Sequence, residues 1–443
     1  MKVSKWKVLG IAGALVLGYV VSSDAAQIKV SDDTFADLGY WMKVRYVNFD
    51  ERAEEGAGID WSTNVFDVVD ARFNIEGQIA KPVQFYGEIV TSGAYAGGIY
   101  DALATLGLRT GRDNTARLSE GGINLVFLPE LQLRLGKIRI PFTRDQQEAR
   151  YSYIIQSDWI YDAHGLFGYW RNGLLRLFDG GANLHGEIAG GMLRYDIGIF
   201  NEASSDEPLE DVAWAVRLEF TPTMLGFKPE TKTTGRGWLH DTHLGKKGDI
   251  LSIGLSYFTQ DVNIDILGGV PVIWAYYFGG VFGGALLPGI GLGPSNYSKE
   301  LDVDAYNVDI FLEKKLGSTL INLEGAYTYF NDSHLTIKSG GSYKTEDSYF
   351  WYLQGQIMYD GVVGLGKPAL YAKYEYLEAD GPVGGLEMNR WAVGVNYYIV
   401  GNAARLTVGV DNVNYDEAAS DYLEGIGYED NITDIYVQAQ IMF

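Results

Sequence analysis

The residues best placed to do chemistry in this 443-residue chain are basic. Arg134, Lys137, Arg139, Arg144 and Arg150 fall in one short stretch, and Arg109, Arg112 and Arg117 come just before it. Such a cluster attracts anions wherever the local dielectric is low. Catalysis has fewer candidates. His164, His185, His240, His243 and His334 are the only histidines available as general base or imidazole ligand. His240 and His243 lie close in sequence with Asp241 between them, but no third metal ligand is in evidence, and a surface pair is the favoured reading. No Ser–His arrangement is singled out locally. The chain has no cysteine, which removes thiol nucleophiles, disulfides, CxxCH haem attachment and Cys-based metal sites. Ion attraction is expected, with no catalysis, no cofactor and no metal.

The elements that must position these residues are strands. From Val65 to Ile79, Val65, Val69, Ala71, Phe73, Ile75 and Ile79 fall on one face, and Asp70, Arg72, Asn74, Glu76 and Gln78 on the other. A side-chain period of two separates one apolar face from one polar face. The last residues repeat the pattern, with Ile435, Val437, Ala439, Ile441 and Phe443 opposite Asp434, Tyr436, Gln438 and Gln440. About sixteen such segments follow one another, and no long amphipathic helix interrupts them.

Their connections alternate in length. Lys81-Pro82, Pro129-Glu130, Gly190-Gly191, Lys314–Gly317, Gly361–Gly366 and Gly401-Asn402 are short; 50–63, 92–117, 141–180, 262–302, 331–347 and 413–430 are long. Short turns at one end and long loops at the other are the layout of an outer-membrane barrel. The expected fold is therefore all-β: a transmembrane antiparallel barrel of about sixteen strands, with short periplasmic turns and long extracellular loops. Closure also satisfies every backbone polar group in lipid. One connection dissents: 222–248 falls on the short side yet is long and polar, and the strand pattern offers no reason for it.

Targeting agrees with export. Lys2, Lys5 and Lys7 precede an uncharged run from Val8 to Val21, and Ser23-Asp24-Ala25-Ala26 follows. A basic start, an apolar middle and small residues at the cleavage site make a signal peptide. The division expected is residues 1–25 as signal peptide and 26–443 as barrel. A formal charge of −22 argues against nucleic-acid partners. Channel selectivity depends instead on the local field. The uncharged stretch 266–298 is too rich in Gly, with Pro271 and Pro288, for a stable helix, and reads as a glycine-rich loop at the barrel rim.

Within a barrel, Arg134 shares its face with Gln132, opposite Leu131, Leu133 and Leu135, so it should face the lumen. Lys137 and Arg139 lie on the other parity. A bulge at Gly136 would turn both into the channel, because a one-residue shift exchanges the faces. Arg72, Arg194, Arg217 and Arg405 lie on polar strand faces and could extend a basic track lining the channel. The alternative is ordinary pairing: Asp145 and Glu148 are at hand for the cluster, and Asp70, Glu76, Asp196 and Glu219 for the track.

Several motifs resemble the phosphate-selective porin family of the O and P type. They are Leu135-Gly136-Lys137-Ile138-Arg139-Ile140-Pro141-Phe142; Arg171-Asn172-Gly173, followed by the run Leu193 to Asn201; and Ala215-Val216-Arg217-Leu218-Glu219-Phe220-Thr221-Pro222. They keep family-like order over roughly 120–222. Asn172 and Glu202 depart from the usual residues. The resemblance implies a sixteen-stranded homotrimeric porin in the cell outer membrane. It also implies a third loop folded into the pore, and passive diffusion of small anions such as phosphate or other oxyanions. The terminal Phe443 resembles the signal by which barrel-assembly machinery recognises such proteins, and lipid surrounds them. A rival role is an insulating barrel sheath around a multihaem cytochrome; lacking CxxCH, this chain could supply only the tube.

Overall fold

The computed structural model describes residues 26–48, 64–90, 116–155, 178–201, 212–230, 239–265, 298–331, 335–337, 341–343, 348–379, 386–416, 420 and 430–443. The signal segment, most of 266–298, Arg109, Arg112, His164, Arg171-Asn172-Gly173 and His334 lie outside them. The first half supplies β1 (Ala26–Ser31), β2 (Thr34–Asn48), β3 (Asn64–Ala80), β4 (Val83–Val90), β5 (Arg117–Leu128) and β6 (Leu131–Arg139). β7 (Phe178–Ile188), β8 (Leu193–Asn201), β9 (Val212–Phe220) and β10 (Ile250–Asp265) follow. Next come β11 (Ser298–Leu316), β12 (Thr319–Asn331) and the short hairpin β13 (Leu335–Ile337) and β14 (Gly341–Tyr343). The chain ends with β15 (Ser348–Tyr359), β16 (Lys367–Ala379), β17 (Leu386–Tyr398), β18 (Ala404–Asp416) and β19 (Asn431–Met442).

Sixteen of these strands close a barrel. Each pairs antiparallel with its predecessor, β12 passes directly to β15, and β19 returns to β2 from Ile435↔Asn48 to Met442↔Trp41. The remaining three are accessory. β1 pairs with the part of β2 that extends beyond the end of β19, and the β13–β14 hairpin prolongs the edge of β11.

Alternation decides which side of the wall each residue takes. Leu218, Leu255 and Val308 stand side by side across β9, β10 and β11, all exposed on the outer surface. Their neighbours Arg217, Ser256 and Asn307 are buried on the inner face. The final strand behaves as its pattern predicts, with Ile435, Ile441 and Phe443 outward and Tyr436, Gln438 and Gln440 inward. An outward apolar surface of this extent suits hydrocarbon, as does its aromatic trim. At the long-loop end Tyr257–Tyr306, Tyr327–Tyr349, Tyr349–Tyr376 and Trp351–Tyr374 have ring centroids 5.2, 6.1, 6.0 and 5.3 Å apart. At the short-turn end Tyr40 packs on Phe73 at 4.6 Å and on Phe443 at 5.5 Å.

One parity expectation is corrected. The β2–β3 register shifts between Lys43 and Val44, leaving Val69 as an extra residue. That bulge exchanges the faces upstream of it, so Phe66 and Val68 point outward, on the parity opposite to the one expected.

A constriction built by two inward segments

Two connections leave the wall and enter the lumen from opposite ends. The first follows β6. Pro141 has no N–H to continue the ladder, and the chain turns inward through Phe142, whose ring packs 6.1 Å from Phe258 and 6.3 Å from Phe330. A one-turn helix, α1 (Arg144–Gln147), comes next. Its start is set by a capping box: Thr143 Oγ1 accepts from Gln146 N at 3.0 Å, and Thr143 N donates to Gln146 Oε1 at 3.1 Å. The segment then crosses to the far wall, where Arg405 donates to Tyr153 O at 2.8 Å and Asn396 to Ile154 O at 2.7 Å.

The second segment is the dissenting connection 222–248, and its length now has a reason. It leaves β9 through a 3-10 turn closed by Gly226 at φ 92°, and its described residues 239–248 lie inside the barrel at the short-turn end. Leu239, His240 and Thr242 are buried there. Leu244 packs against Leu320, Met358, Ala369 and Tyr398 of the wall. The Leu244 and Gly245 amides donate to Glu313 at 3.1 and 2.7 Å. Polar sequence in this stretch serves an interior that is itself polar.

The segments meet at a β-bridge between Glu148 and His240. Ala149 N donates to His240 O, and His240 N to Gln147 O, both at 2.9 Å. Beside the bridge, Arg144 is fully buried with Glu230 at 2.5 Å, Glu324 at 2.7 Å and Glu148 at 3.5 Å, its guanidinium over the Phe311 ring at 3.7 Å. Glu230 also accepts from Asp241 N at 3.1 Å and Ser252 Oγ at 3.2 Å. Burial works against its charge, yet Arg144 and His240 prevail and hold its carboxyl well below the usual range. Glu148 goes the other way, pushed well above that range chiefly by burial.

Among the described residues, the basic side chains proposed to line the channel have definite places. Arg134 is buried on the inner face, 3.4 Å from His185. Arg139 is also buried, between Glu120 at 3.2 Å and the carbonyls of Gln146 and Glu148 at 2.9 and 2.7 Å. It therefore ties the inward segment to the wall. Arg72 pairs with Asp70 at 2.7 Å and Glu88 at 2.6 Å. Arg194 pairs with Asp196 at 3.0 Å. Arg217 pairs with Asp309 at 2.6 Å and bonds Phe142 O at 3.1 Å.

Lys137 departs from expectation. It is exposed, with Nζ donating to Leu118 O at 2.9 Å. Gly136 takes a φ of 139°, but the register on both sides of β6 passes through it unshifted. The β4–β5 pairing carries the nearby bulge instead, shifting between Glu88 and Ile89. Lys137 accordingly keeps the outward parity of the leucines.

Sequence reasoning missed Glu230, Glu324, Asp309 and His240 as members of one cluster. Each looked unremarkable in its own segment; only the placement of His240 in a long polar connection was a signal. Glu219, Glu230 and His240 bring ligand atoms within 4.8 Å of one another, a set of types that can hold a metal. Their geometry fits an ion-pair cluster better. The Arg144 and Arg217 guanidiniums already lie against Glu230 and Glu219, and His240 Nε2 and Nδ1 lie 3.1 and 3.0 Å from Glu219 and Glu230.

A closed antiparallel barrel of sixteen strands, polar inside and apolar outside, is the fold of outer-membrane porins. The chain is similar to OmpF of Salmonella typhi, solved in complex with daunomycin, at 12% identity and a TM-score of 0.53 over 94% of this chain and 100% of that one. Similarity to Pseudomonas putida OprB at high pH is 11% identity and a TM-score of 0.50, covering 92% of this chain and 94% of that one. At such identities the likeness concerns fold alone. An uncharacterized protein of Aquifex aeolicus (strain VF5) is 29% identical over 147 residues. That stretch is 30% of this chain and 31% of the relative, so the chain spans under a third of the length of the curated relative it matches. No family model matches.

Proposed function

We propose that this protein is an outer-membrane porin, a water-filled channel for passive diffusion of small hydrophilic solutes, with the short turns in the periplasm. The observation that carries the reading is the barrel's inside-out polarity, joined to a constriction formed by residues 140–155 and 239–248. A pore selects by the groups at its narrowest point. An electron-conduit sheath would need a lumen open along its length to house a cytochrome, and these two segments cross it. Export with loss of residues 1–25, recognition of Phe443 by barrel-assembly machinery, and homotrimer formation belong to the same proposal.

Selectivity is proposed as a preference for anions, phosphate or other oxyanions among them, with Arg134 beside His185 as the group that carries it. The motifs resembling the O and P type porins support this. A competing reading is favoured by a specific observation: buried carboxylates outnumber buried Lys and Arg among the described residues, and Arg72, Arg139, Arg144, Arg194 and Arg217 each lie against one or more of them. Reversal potentials across a planar bilayer under a salt gradient separate the two. An anion-side potential supports the proposal, and a clear cation-side potential replaces it with selection by the acidic excess.

A further inference from the structure

Arg405 is the odd member of the buried arginines. It stands on β18 at the far wall, where the inward segment reaches it, and is 1% exposed. Arg72, Arg139, Arg144, Arg194, Arg217 and Arg390 each lie against a carboxylate. Among the described residues, Arg405 lies against none. Its partners are Tyr153 O at 2.8 Å, Tyr151 O and Gln440 Oε1 at 3.3 Å, and Tyr398 Oη at 3.4 Å. Its Nε–H has no acceptor among the described residues. A charge withdrawn from water is ordinarily met by an opposite charge. This one is met by dipoles alone.

The wall around it does not supply the missing charge. Buried Asn396, Thr407, Gln438 and Gln440 stand beside it on β17, β18 and β19, all neutral. Across the ladder its row reads Lys367, Tyr398, Arg405, Gln440, Lys43. The next charges on either side are therefore cations, each two strands or about 10 Å away. Along β18 the first inward carboxylate is Asp411, six positions or about 20 Å on, and Arg390 already holds it at 3.1 Å. Asp241, on the other inward segment, accepts from Asn402 Nδ2 at 3.3 Å instead.

We propose that Arg405 is a selectivity-determining residue of the channel, whose uncompensated positive charge draws anions to the place where the inward segment meets the far wall. An ion pair presents a dipole to a passing ion, and its field decays faster with distance than that of a lone charge. The six paired arginines are cancelled close at hand, so Arg405 contributes more to the potential along the path than any of them. It is also seated on the segment that narrows the pore, where a local charge selects. The assignment rests on the channel reading and adds Arg405 to Arg134 as a carrier of its anion preference.

The test is the reversal potential of the purified full chain in planar bilayers under a potassium chloride gradient, at ~0.1 M and at ~1 M mean salt. Arg405→Gln should lower the chloride-to-potassium permeability ratio about threefold or more at the lower salt. The fall should be much smaller at the higher salt, where the screening length drops from about 10 Å to about 3 Å. Arg405→Lys keeps the charge but not the planar fork that grips two carbonyls, so it should retain the ratio whatever its conductance. A purely structural clamp would move conductance in both variants and at both salts. The assignment is overturned by an Arg405→Gln ratio equal to wild type, by an equal fall in Arg405→Lys, or by a fall that persists at ~1 M. If Arg405→Gln yields no barrel, Gln440→Glu sets a carboxylate against the guanidinium and should lower the ratio likewise; an unchanged ratio overturns the assignment equally. The two readings fail differently. A wild-type potential on the cation side refutes the anion preference, whereas an anion-side potential untouched by these variants refutes only the role of Arg405.

Discussion

Arg144 and Glu230 lie 2.5 Å apart in the middle of the barrel, although 86 positions separate them and they enter from opposite ends. The pair joins an inward-folded loop to a connection at the short-turn end, so the constriction has two independent supports. Both side chains are fully buried, where an ion pair is stabilising only if its remaining polar atoms are also satisfied. Glu324, Glu148, Ser252 and the Asp241 amide supply those partners.

Removing the guanidinium should therefore be costly. Arg144→Met leaves Glu230 and Glu324 buried without their main counter-charge, a loss of about 3–5 kcal/mol for breaking a buried pair. Because the wall ladders are untouched, the expected result is an assembled barrel with a loosened constriction. Single-channel conductance should rise and become noisier, while circular dichroism retains its β signature. A variant with wild-type conductance would place the narrow point elsewhere.

Stability should depend on pH through His240. Its folded-state value is raised, so its contribution is complete below about pH 6.5, the ordinary value for the unfolded chain, and is lost as pH rises through the folded value. Glu230 is held low, so its contribution disappears only in acid, as pH falls through that depressed value. Thermal unfolding of detergent-solubilised protein should show Tm falling on the alkaline side. His240→Gln should lack that alkaline fall.

Charge selectivity should separate two residues only three positions apart. Arg134 is buried on the inner face and Lys137 is exposed on the outer parity. Arg134→Gln should reduce anion preference at low salt, and Lys137→Gln should leave it unchanged. The Arg134 effect should shrink at ~1 M salt, where the screening length is about 3 Å. Reversal potentials of the two variants provide the measurement; equal effects would contradict the assignment of faces.

The outer surface gives a prediction independent of the pore. Leu255 lies between exposed Leu218 and Val308 in the ladder. If this band faces hydrocarbon, Leu255→Arg should destabilise the inserted barrel by about 2–4 kcal/mol, the range for Arg or Lys at the bilayer midplane. Folding titrations into lipid vesicles measure it. The same substitution on a water-exposed face would cost almost nothing.

What the sequence by itself determined was everything carried by local periodicity. All sixteen wall strands are legible in it, because a half-buried strand writes its environment into every second residue. Short and long connections likewise mark the two ends of the barrel. Even there, one extra residue at Val69 was enough to exchange the faces of Phe66 and Val68, because parity depends on pairing with β2. Only the tertiary structure decided what fills the barrel. Closure brings Arg144 to Glu324 across 180 positions and Arg217 to Asp309 across 92. Lumen charges choose partners across the barrel, by Coulomb attraction among groups withdrawn from bulk water, and that choice leaves no periodic trace in the chain. Connection 222–248 reads as a polar loop because its destination is polar; folding placed it inside, with His240 between two carboxylates.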